Sequence, residues 1–481
     1  MNKKMVFFST AKILQFEAGL MLLPAFVSIF YAEGWRNLSS FLISIAIILL
    51  TTLPFTLNPP KDKRVYAREG LASVALTWIG LSFFGGLPFF ISGQIPSMID
   101  AFFETSSGLT TTGSSILDNV EALSHSMLFW RSFTHFIGGM GVLVLALAVF
   151  PDTQMGDIQF MKAEVPGPQF GKLMSKLKST AQALYIIYMV LTLILFLVLV
   201  IAGMPVFDSL LHAFGTAGTG GFGIKNGGVA PYNSPLIEVI LGIGMLVFGV
   251  NFNIYYFILI GKAKDALKSE ELKVYLGIVI ASIIMIFLNI MHSYSNNLTA
   301  LRDSFFTVSS IVTTTGFSTA DFDAWPLFSK NILLLLMFIG GMAGSTAGGL
   351  KVSRVMILFK SAKAELKRMI SHNRYVKVTI DKKALDRYTD RSIMNYFLAY
   401  VVMFAVLLLL ISFWQEDFAT AFSSVAATFN NIGPGFNTVG PTLSFSGFNN
   451  ISKLILSFSM IAGRLELFPI LVLFSPRSWK K

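Results

Sequence analysis

Four glycines, Gly113, Gly221, Gly316 and Gly433, each end a short run that an ordinary membrane helix would not carry. Two of the runs nearly coincide, Thr110-Thr111-Thr112-Gly113 and Thr313-Thr314-Thr315-Gly316. Two are looser, Gly218-Thr219-Gly220-Gly221 and Asn430-Asn431-Ile432-Gly433. Ahead of each lies a semi-apolar segment too short to cross a bilayer, which takes ~20 apolar residues. The spacing is stricter than the residues. Thirteen positions before the glycines stand Asp100, Asp208, Asp303 and Thr420, and eleven before stand Phe102, Leu210, Phe305 and Phe422. The first set reads as helix N-caps and the second as apolar anchors. A short helix ending in a glycine turn, four times over, is the unit this pattern predicts.

The surroundings of these units are membrane sequence. The chain of 481 residues is 54% hydrophobic and 13% charged, with a mean hydropathy of +0.68, which no soluble domain of this size carries. The basic start, Met1–Lys12, leads into an apolar run without a small-residue cleavage site, so a first transmembrane helix is expected rather than a signal peptide. Cysteine is absent. Disulfides, thiol catalysis and Cys-based metal sites are excluded.

The formal charge of +11 could suggest nucleic acid, but its placement argues for a membrane instead. Of the 37 Lys and Arg, 30 fall in segments on one side of the expected topology, the densest running from Lys351 to Arg391. That asymmetry places both termini in the cytoplasm. The outer side keeps only Arg36, Arg131, Lys225, Arg302, Lys330 and Lys453, and Arg464 lies within an apolar segment.

Taken in order, residues 1–69 give two leading spans, Ile13–Tyr31 and Leu38–Leu57. Four repeats follow over 70–178, 179–272, 273–391 and 392–481, each expected to hold a span, a short re-entrant helix, a glycine turn and a returning span. The returning spans are Met127–Phe150, Leu236–Ile260, a segment from Asn331 interrupted at Gly340–Gly349, and Leu454–Phe474. Ten full spans and four re-entrant elements result: an all-α polytopic membrane protein with four pseudo-repeats around one pore.

Non-helical backbone at membrane depth is tolerated only where it is buried in protein or lines a water-filled path. Carbonyl oxygens turned toward one axis can replace the water shell of a cation. Glycine permits the positive φ this needs, and Thr hydroxyls can add oxygens. None of the four turns carries a fixed charge, which suits a monovalent cation better than a divalent one. The candidate ion ligands are therefore Thr111, Thr112, Gly113, Thr219, Gly220, Gly221, Thr314, Thr315, Gly316, Asn431, Ile432 and Gly433.

A second constellation lies in the third repeat. Gly340, Gly344, Ser345, Gly348 and Gly349 belong to a glycine-dense stretch that disfavours continuous helix and leaves carbonyls in need of partners. Arg464, a charge among apolar residues, has the complementary need. Their pairing across the ion path is expected. The alternative is small-residue packing of the loop with a local Arg464–Glu466 pair.

Other groups carry less. The five histidines show no metal-ligand spacing, and His135 and His212 read as packing or capping residues. Glu17 lies in apolar surroundings as a functional candidate by default. No Ser/His/Asp arrangement stands out, so an enzyme is not expected. A sodium- or proton-coupled symporter remains the competing transport reading, although alternating access usually brings inverted repeats.

TTTGSS, GTGGFG, TTTGFST and NNIGPG, with HFIGGMGVLVLALAVFP, GGMAGSTAGGLK and GRLELFPILVLF, resemble the Trk/Ktr/HKT superfamily of potassium transport proteins over nearly the whole chain. The two leading helices are similar to those of its bacterial TrkH/TrkG branch. The resemblance implies a homodimer in the bacterial cytoplasmic membrane, one pore per subunit, and a cytoplasmic nucleotide-binding partner resembling TrkA. It also implies K⁺ as the transported ion, filter glycines at Gly113, Gly221, Gly316 and Gly433, and a gate in the 340–349 loop. A Ser at the first filter position goes with sodium permeation in plant relatives, so Gly113 favours potassium.

Overall fold

The computed structural model describes residues 1–62, 66–141, 177–370 and 377–479. Almost every described element is helical. Among the described residues, six helices or helix pairs are long and apolar enough to cross a membrane: Lys3–Phe30, Trp35–Thr56, Ala67–Ser92, Ala181–Ile201, Glu270–Ser293 and Tyr388–Ser412. The protein is a multi-pass membrane protein.

The leading spans are α1 (Lys3–Leu20), continued past Met21 as α2 (Leu22–Phe30), and α3 (Trp35–Thr56). The first repeat has α4 (Ala67–Ser92), the short α5 (Met98–Leu109) and α6 (His125–Gly139). The second has α7 (Leu177–Ile201), the short α8 (Val206–Gly218), α9 (Pro235–Phe248) and α10 (Phe252–Leu259). The third has α11 (Glu270–Ile290), the short α12 (Asn297–Val312), α13 (Leu327–Ile339) and α14 (Val352–Ile370). The fourth has α15 (Arg387–Ser412), the short α16 (Phe418–Phe429), α17 (Asn450–Arg464) and α18 (Phe468–Phe474).

Each short helix packs against the two helices that flank it in its own repeat and against the returning helix of the repeat before. Thus α8 meets α6, α12 meets α9, and α16 meets α13. The circle closes because α5 meets α17. Four copies of one unit therefore surround a common axis, and each short helix is wedged at a seam.

Three of the four returning spans differ from the sequence expectation, and the third is interrupted where expected, at Gly340. None of them runs as one continuous helix through the described residues. α6 stops at Gly139, and the rest of the expected Met127–Phe150 span, from residue 142, lies outside the described residues, as does nearly all of the connection expected over 151–179. The expected Leu236–Ile260 span bends by 88° between α9 and α10. α13 ends at Ile339, before the glycine-dense loop. The expected Leu454–Phe474 span breaks across Glu466 and Leu467, which have φ of 55° and 68°. Hydropathy cannot detect these breaks, because the residues on either side remain apolar. What permits them is mutual repair of the freed backbone. Met342 N–H donates to Gly249 O at 3.0 Å, and Phe252 N–H donates to Gly344 O at 3.0 Å. The break in repeat 2 and the loop of repeat 3 satisfy each other's polar groups.

The expected N-caps also need correction. Asp100, Asp208 and Thr420 occupy the third residue of their helices, and Asp303 the seventh of α12. The caps lie just before: Ser97 accepts from Asp100 N, Asn296 from Leu298 N, and Asp417 from Thr420 N, while Pro205 precedes α8 without a side-chain cap bond. Asp100 and Asp208 still favour the positive end of the helix dipole. Asp303 instead lies 3.6 Å from the Arg302 guanidinium.

The true cap of α16 makes a pH prediction. Bonds from Thr420 and then Asn437 hold the Asp417 carboxyl at about 2, down from an ordinary 3.8. A depressed carboxylate contributes stability that is complete above its unfolded pKa and is lost as pH falls through the folded one. The window is therefore roughly pH 4 to 2. Asp417→Asn keeps a good cap but cannot titrate. Thermal melts of the detergent-solubilised variant should show a shallower decline across that window than the parent. Equal slopes would refute the assignment.

Candidate functional site

The four glycine turns converge at the ends of the short helices, and their backbones match despite unlike sequences. In each, one N–H reaches back five residues into its helix: Thr112 to Ser107 O (2.9 Å), Gly220 to Gly215 O, Thr315 to Ser310 O and Ile432 to Ala427 O (each 2.8 Å). The residue before, Thr111, Thr219, Thr314 or Asn431, donates three residues back and holds φ of 54–56°. This paired bonding is the Schellman closure of a helix C-terminus. Glycine usually fills its left-handed position. Here three of the four are β-branched Thr, a conformation that costs roughly 1–2 kcal/mol, so the surrounding packing must impose it.

Two residues on come the glycines, with φ of 85°, 74°, 87° and 105° at Gly113, Gly221, Gly316 and Gly433. Each is glycine for a second reason. A Cβ on Gly113 would fall on Gly220 O, on Gly221 on Thr315 O, on Gly316 on Ile432 O, and on Gly433 within 2.8 Å of Thr112 O. Each turn thus lays the carbonyl before its own glycine against the glycine of the preceding turn. The four form a closed ring in chain order. All twelve residues singled out from the sequence lie in it.

Side chains tie the ring together. Thr110 and Thr112 share a hydroxyl hydrogen bond of 2.7 Å, as do Thr313 and Thr315. Asn431 Nδ2 donates to Thr112 Oγ1 and to Met460 O, both at 2.9 Å. Ser114 Oγ donates to Gly433 O at 2.9 Å. On one face the ring opens into a cavity of about 300 Å³ whose lining includes all four glycines and Asp118. Hydroxyls of Ser444 and Ser446 hold the Asp118 carboxyl below the usual range, which keeps a negative charge at that mouth.

Away from that cavity, against the turns, lies the 340–349 loop. Gly340, Gly344 and Gly349 have φ of 74°, 74° and 75°. Gly348 N–H donates to Thr314 Oγ1 at 2.6 Å, and Gly349 N–H to Asn430 O at 3.1 Å, so the loop hangs directly from two of the turns. Ser345 Oγ closes a tight turn onto Met342 O at 2.7 Å. Arg464 reaches in from the end of α17. Its Nη1 donates to Thr346 O at 2.8 Å, and its Nη2 to Gly138 O and Gly139 O at 2.5 and 2.7 Å. One guanidinium therefore joins the loop of repeat 3 to the helix end of repeat 1 from a base in repeat 4.

The family model described as TrkH, cation transport protein, matches residues 38–481. A Trk system potassium uptake protein TrkH of Salmonella typhimurium is 38% identical over 475 residues, covering 96% of each chain. The TrkG protein of Escherichia coli is 33% identical over 465 residues, covering 96% of this chain and 95% of its own. The crystal structure of the potassium transporter TrkH from Vibrio parahaemolyticus superposes with a TM-score of 0.89 at 32% identity over the whole of both chains. The chain belongs to the TrkH family.

In this TrkH-family chain no ion pair joins Arg464 to Glu466 among the described residues. Glu466 instead takes both arms of Arg354, at 3.0 and 2.5 Å, and Arg354 lies 4.1 Å from the Tyr396 ring centroid. Several residues around the loop were not foreseen. Buried Lys351 donates through Nζ to Ala347 O. Glu271 Oε1 accepts from Ala343 N at 2.8 Å and Ser353 N at 3.2 Å. The signal for both was present: each is a charge at the edge of an apolar run, and a charge so placed needs a partner. Glu17 is buried, and neither of its carboxyl oxygens has a hydrogen-bond partner among the described residues. His135 stacks on Phe222 at 4.1 Å and His212 on Phe317 at 5.4 Å, so both pack behind the turns.

Proposed function

We propose that this protein takes up potassium through the ring of turns, acting as a channel-like pore rather than an enzyme. The single observation that carries the reading is the closed order of the four carbonyls of Thr112, Gly220, Thr315 and Ile432, each laid against the glycine of the preceding turn. Neutral oxygens on a braced frame suit a weakly hydrated monovalent cation. The ends of four short helices, with their negative dipole poles, add to that preference. The uptake of potassium by the similar Salmonella and Vibrio proteins points the same way.

The 340–349 loop and Arg464 serve in this reading as the gate, since the loop lies against the ring and the guanidinium ties it across three repeats. A homodimer with both termini in the cytoplasm of a bacterial inner membrane, regulated by a nucleotide-binding subunit resembling TrkA, fits the basic cytoplasmic segments. α14, which carries Lys360, Lys363, Lys367 and Arg368, is the surface for such a partner.

The test is tracer rubidium uptake into liposomes holding only this protein, with unlabelled ions as competitors. K⁺ and Rb⁺ should compete best, with Na⁺ weaker. Best competition by Li⁺ or Ca²⁺ would refute the ring as a potassium site. Uptake that required an inward Na⁺ or H⁺ gradient would favour a symporter.

A further inference from the structure

Directly behind two of the four turns lies a buried ion pair that transport of an ion does not by itself require. Glu104, in the middle of α5, and Arg131, on α6, are 1% and 3% exposed. Their Nε–Oε1 distance is 2.6 Å. Replacing a buried ion pair with well-packed apolar residues is often neutral or stabilising. Such a pair is therefore a poor device for stability and needs another reason.

The other bonds of the two side chains supply it. Glu104 accepts from Ser115 Oγ at 2.9 and 3.1 Å and from Ile116 N–H at 2.9 Å, two and three residues beyond Gly113. Arg131 Nη1 donates to Gly223 O at 2.8 Å, two residues beyond Gly221. Its guanidinium carbon lies 3.5 Å from the centroid of Phe222, the residue that follows Gly221. His135, one turn further along α6, stacks on the same ring. One ion pair thus holds the exit of the first turn with one end and the exit of the second with the other.

The arrangement belongs to one seam. At the position of Glu104, nine before the glycine, the other repeats carry His212, Thr307 and Ser424. His212 packs its ring on Phe317, the residue after Gly316, and so reproduces the aromatic half of the contact without the charges. The second turn also has the greatest need of support. Gly218, Gly220, Gly221 and Gly223 give it more glycine than the other three, and glycine is the residue whose backbone is least restricted.

We propose that Glu104 and Arg131 are positioning residues for ion selectivity: the pair fixes the first and second turns relative to each other and so sets the spacing of the ring carbonyls on that side. The inference rests on the reading of the ring as the ion path, and it goes beyond that reading in naming what holds the path to size.

The experiment is K⁺-over-Na⁺ preference, read from competition against tracer rubidium uptake in liposomes. Variants are Glu104→Gln, Arg131→Lys and the double Glu104→Gln/Arg131→Gln. The single Glu104→Gln and the double neutral variant should lose preference by about tenfold or more, the scale of hydrogen bonds to charged groups. Arg131→Lys, which keeps the charge but not the fork, should fall between them and the parent. Transporting variants with parental preference would reduce the pair to packing and overturn the proposal. If the pair variants fail to reach the membrane, Ser115→Ala and Phe222→Leu leave both charges in place and remove one contact each. Parental preference in both of these overturns it equally. Gly221→Ala in the same assay separates the two levels. If it disturbs transport while the other variants do not, only the positioning role fails. If it too is without effect, the ring is not the ion path.

Discussion

Arg464→Ala should raise resting rubidium flux by about tenfold or more while leaving the order of competing ions unchanged. The guanidinium makes three hydrogen bonds to carbonyls of Thr346, Gly138 and Gly139. Bonds from a charged donor are worth ~1.5–3 kcal/mol each, and a shift of only ~1.4 kcal/mol between closed and open loop changes the populations tenfold. The three acceptors lie outside the glycine turns, so ion preference should survive. Arg464→Lys should be intermediate, because a single ammonium cannot reach in two directions as the planar fork does. Shortening Gly344–Gly348 should act in the same direction, since Thr346 O leaves with it. Parental flux in a well-expressed Arg464→Ala would end the gate assignment.

Gly221→Ala should abolish most transport, at least tenfold, with a smaller effect on thermal stability. Two costs combine. An L-residue at a φ of 74° is strained, by roughly 1–2 kcal/mol. The new methyl would also fall on Thr315 O and force either that carbonyl or the whole third turn to shift. Gly203→Ala separates the two costs, because Gly203 has a φ of 92° and nothing within 4 Å of the added Cβ. It should lose a comparable amount of stability and keep its flux. Equal flux in the two variants would mean that the ring carbonyls do not matter to the ion.

The residues themselves carried a good deal of this. Fourfold recurrence at matched spacing was visible because a repeated supersecondary unit needs the same turn chemistry each time, and glycine cannot be replaced where a neighbour's carbonyl occupies the place of a Cβ. Membrane class and the short helices followed from segment lengths and from the uneven distribution of Lys and Arg along the chain. The need of Arg464 for carbonyl partners was also legible, since a charge in an apolar segment and a glycine run that cannot stay helical have complementary deficits. Helix starts were less so. Ser97, Asn296 and Asp417 cap their helices a few residues ahead of the expected positions, because several polar residues in a row can each cap and the choice among them belongs to packing.

What the chain alone left open was everything that depends on which apolar residue faces which. Gly218-Thr219-Gly220-Gly221 and Asn430-Asn431-Ile432-Gly433 look unlike the two threonine turns, yet the same helix-end bonds and the same ring give them one backbone. The breaks in the returning spans leave no mark in hydropathy, because Gly249 is freed from its helix by bonding to Met342, ninety-three residues away. Arg131 read only as one of the sparse outer-side bases, and nothing singled out Glu104 until the fold buried both behind the ring. Local sequence specifies turns and caps through short-range bonds. Partners for backbone and charge at membrane depth are long-range, so only the closure of four repeats around one axis decides them.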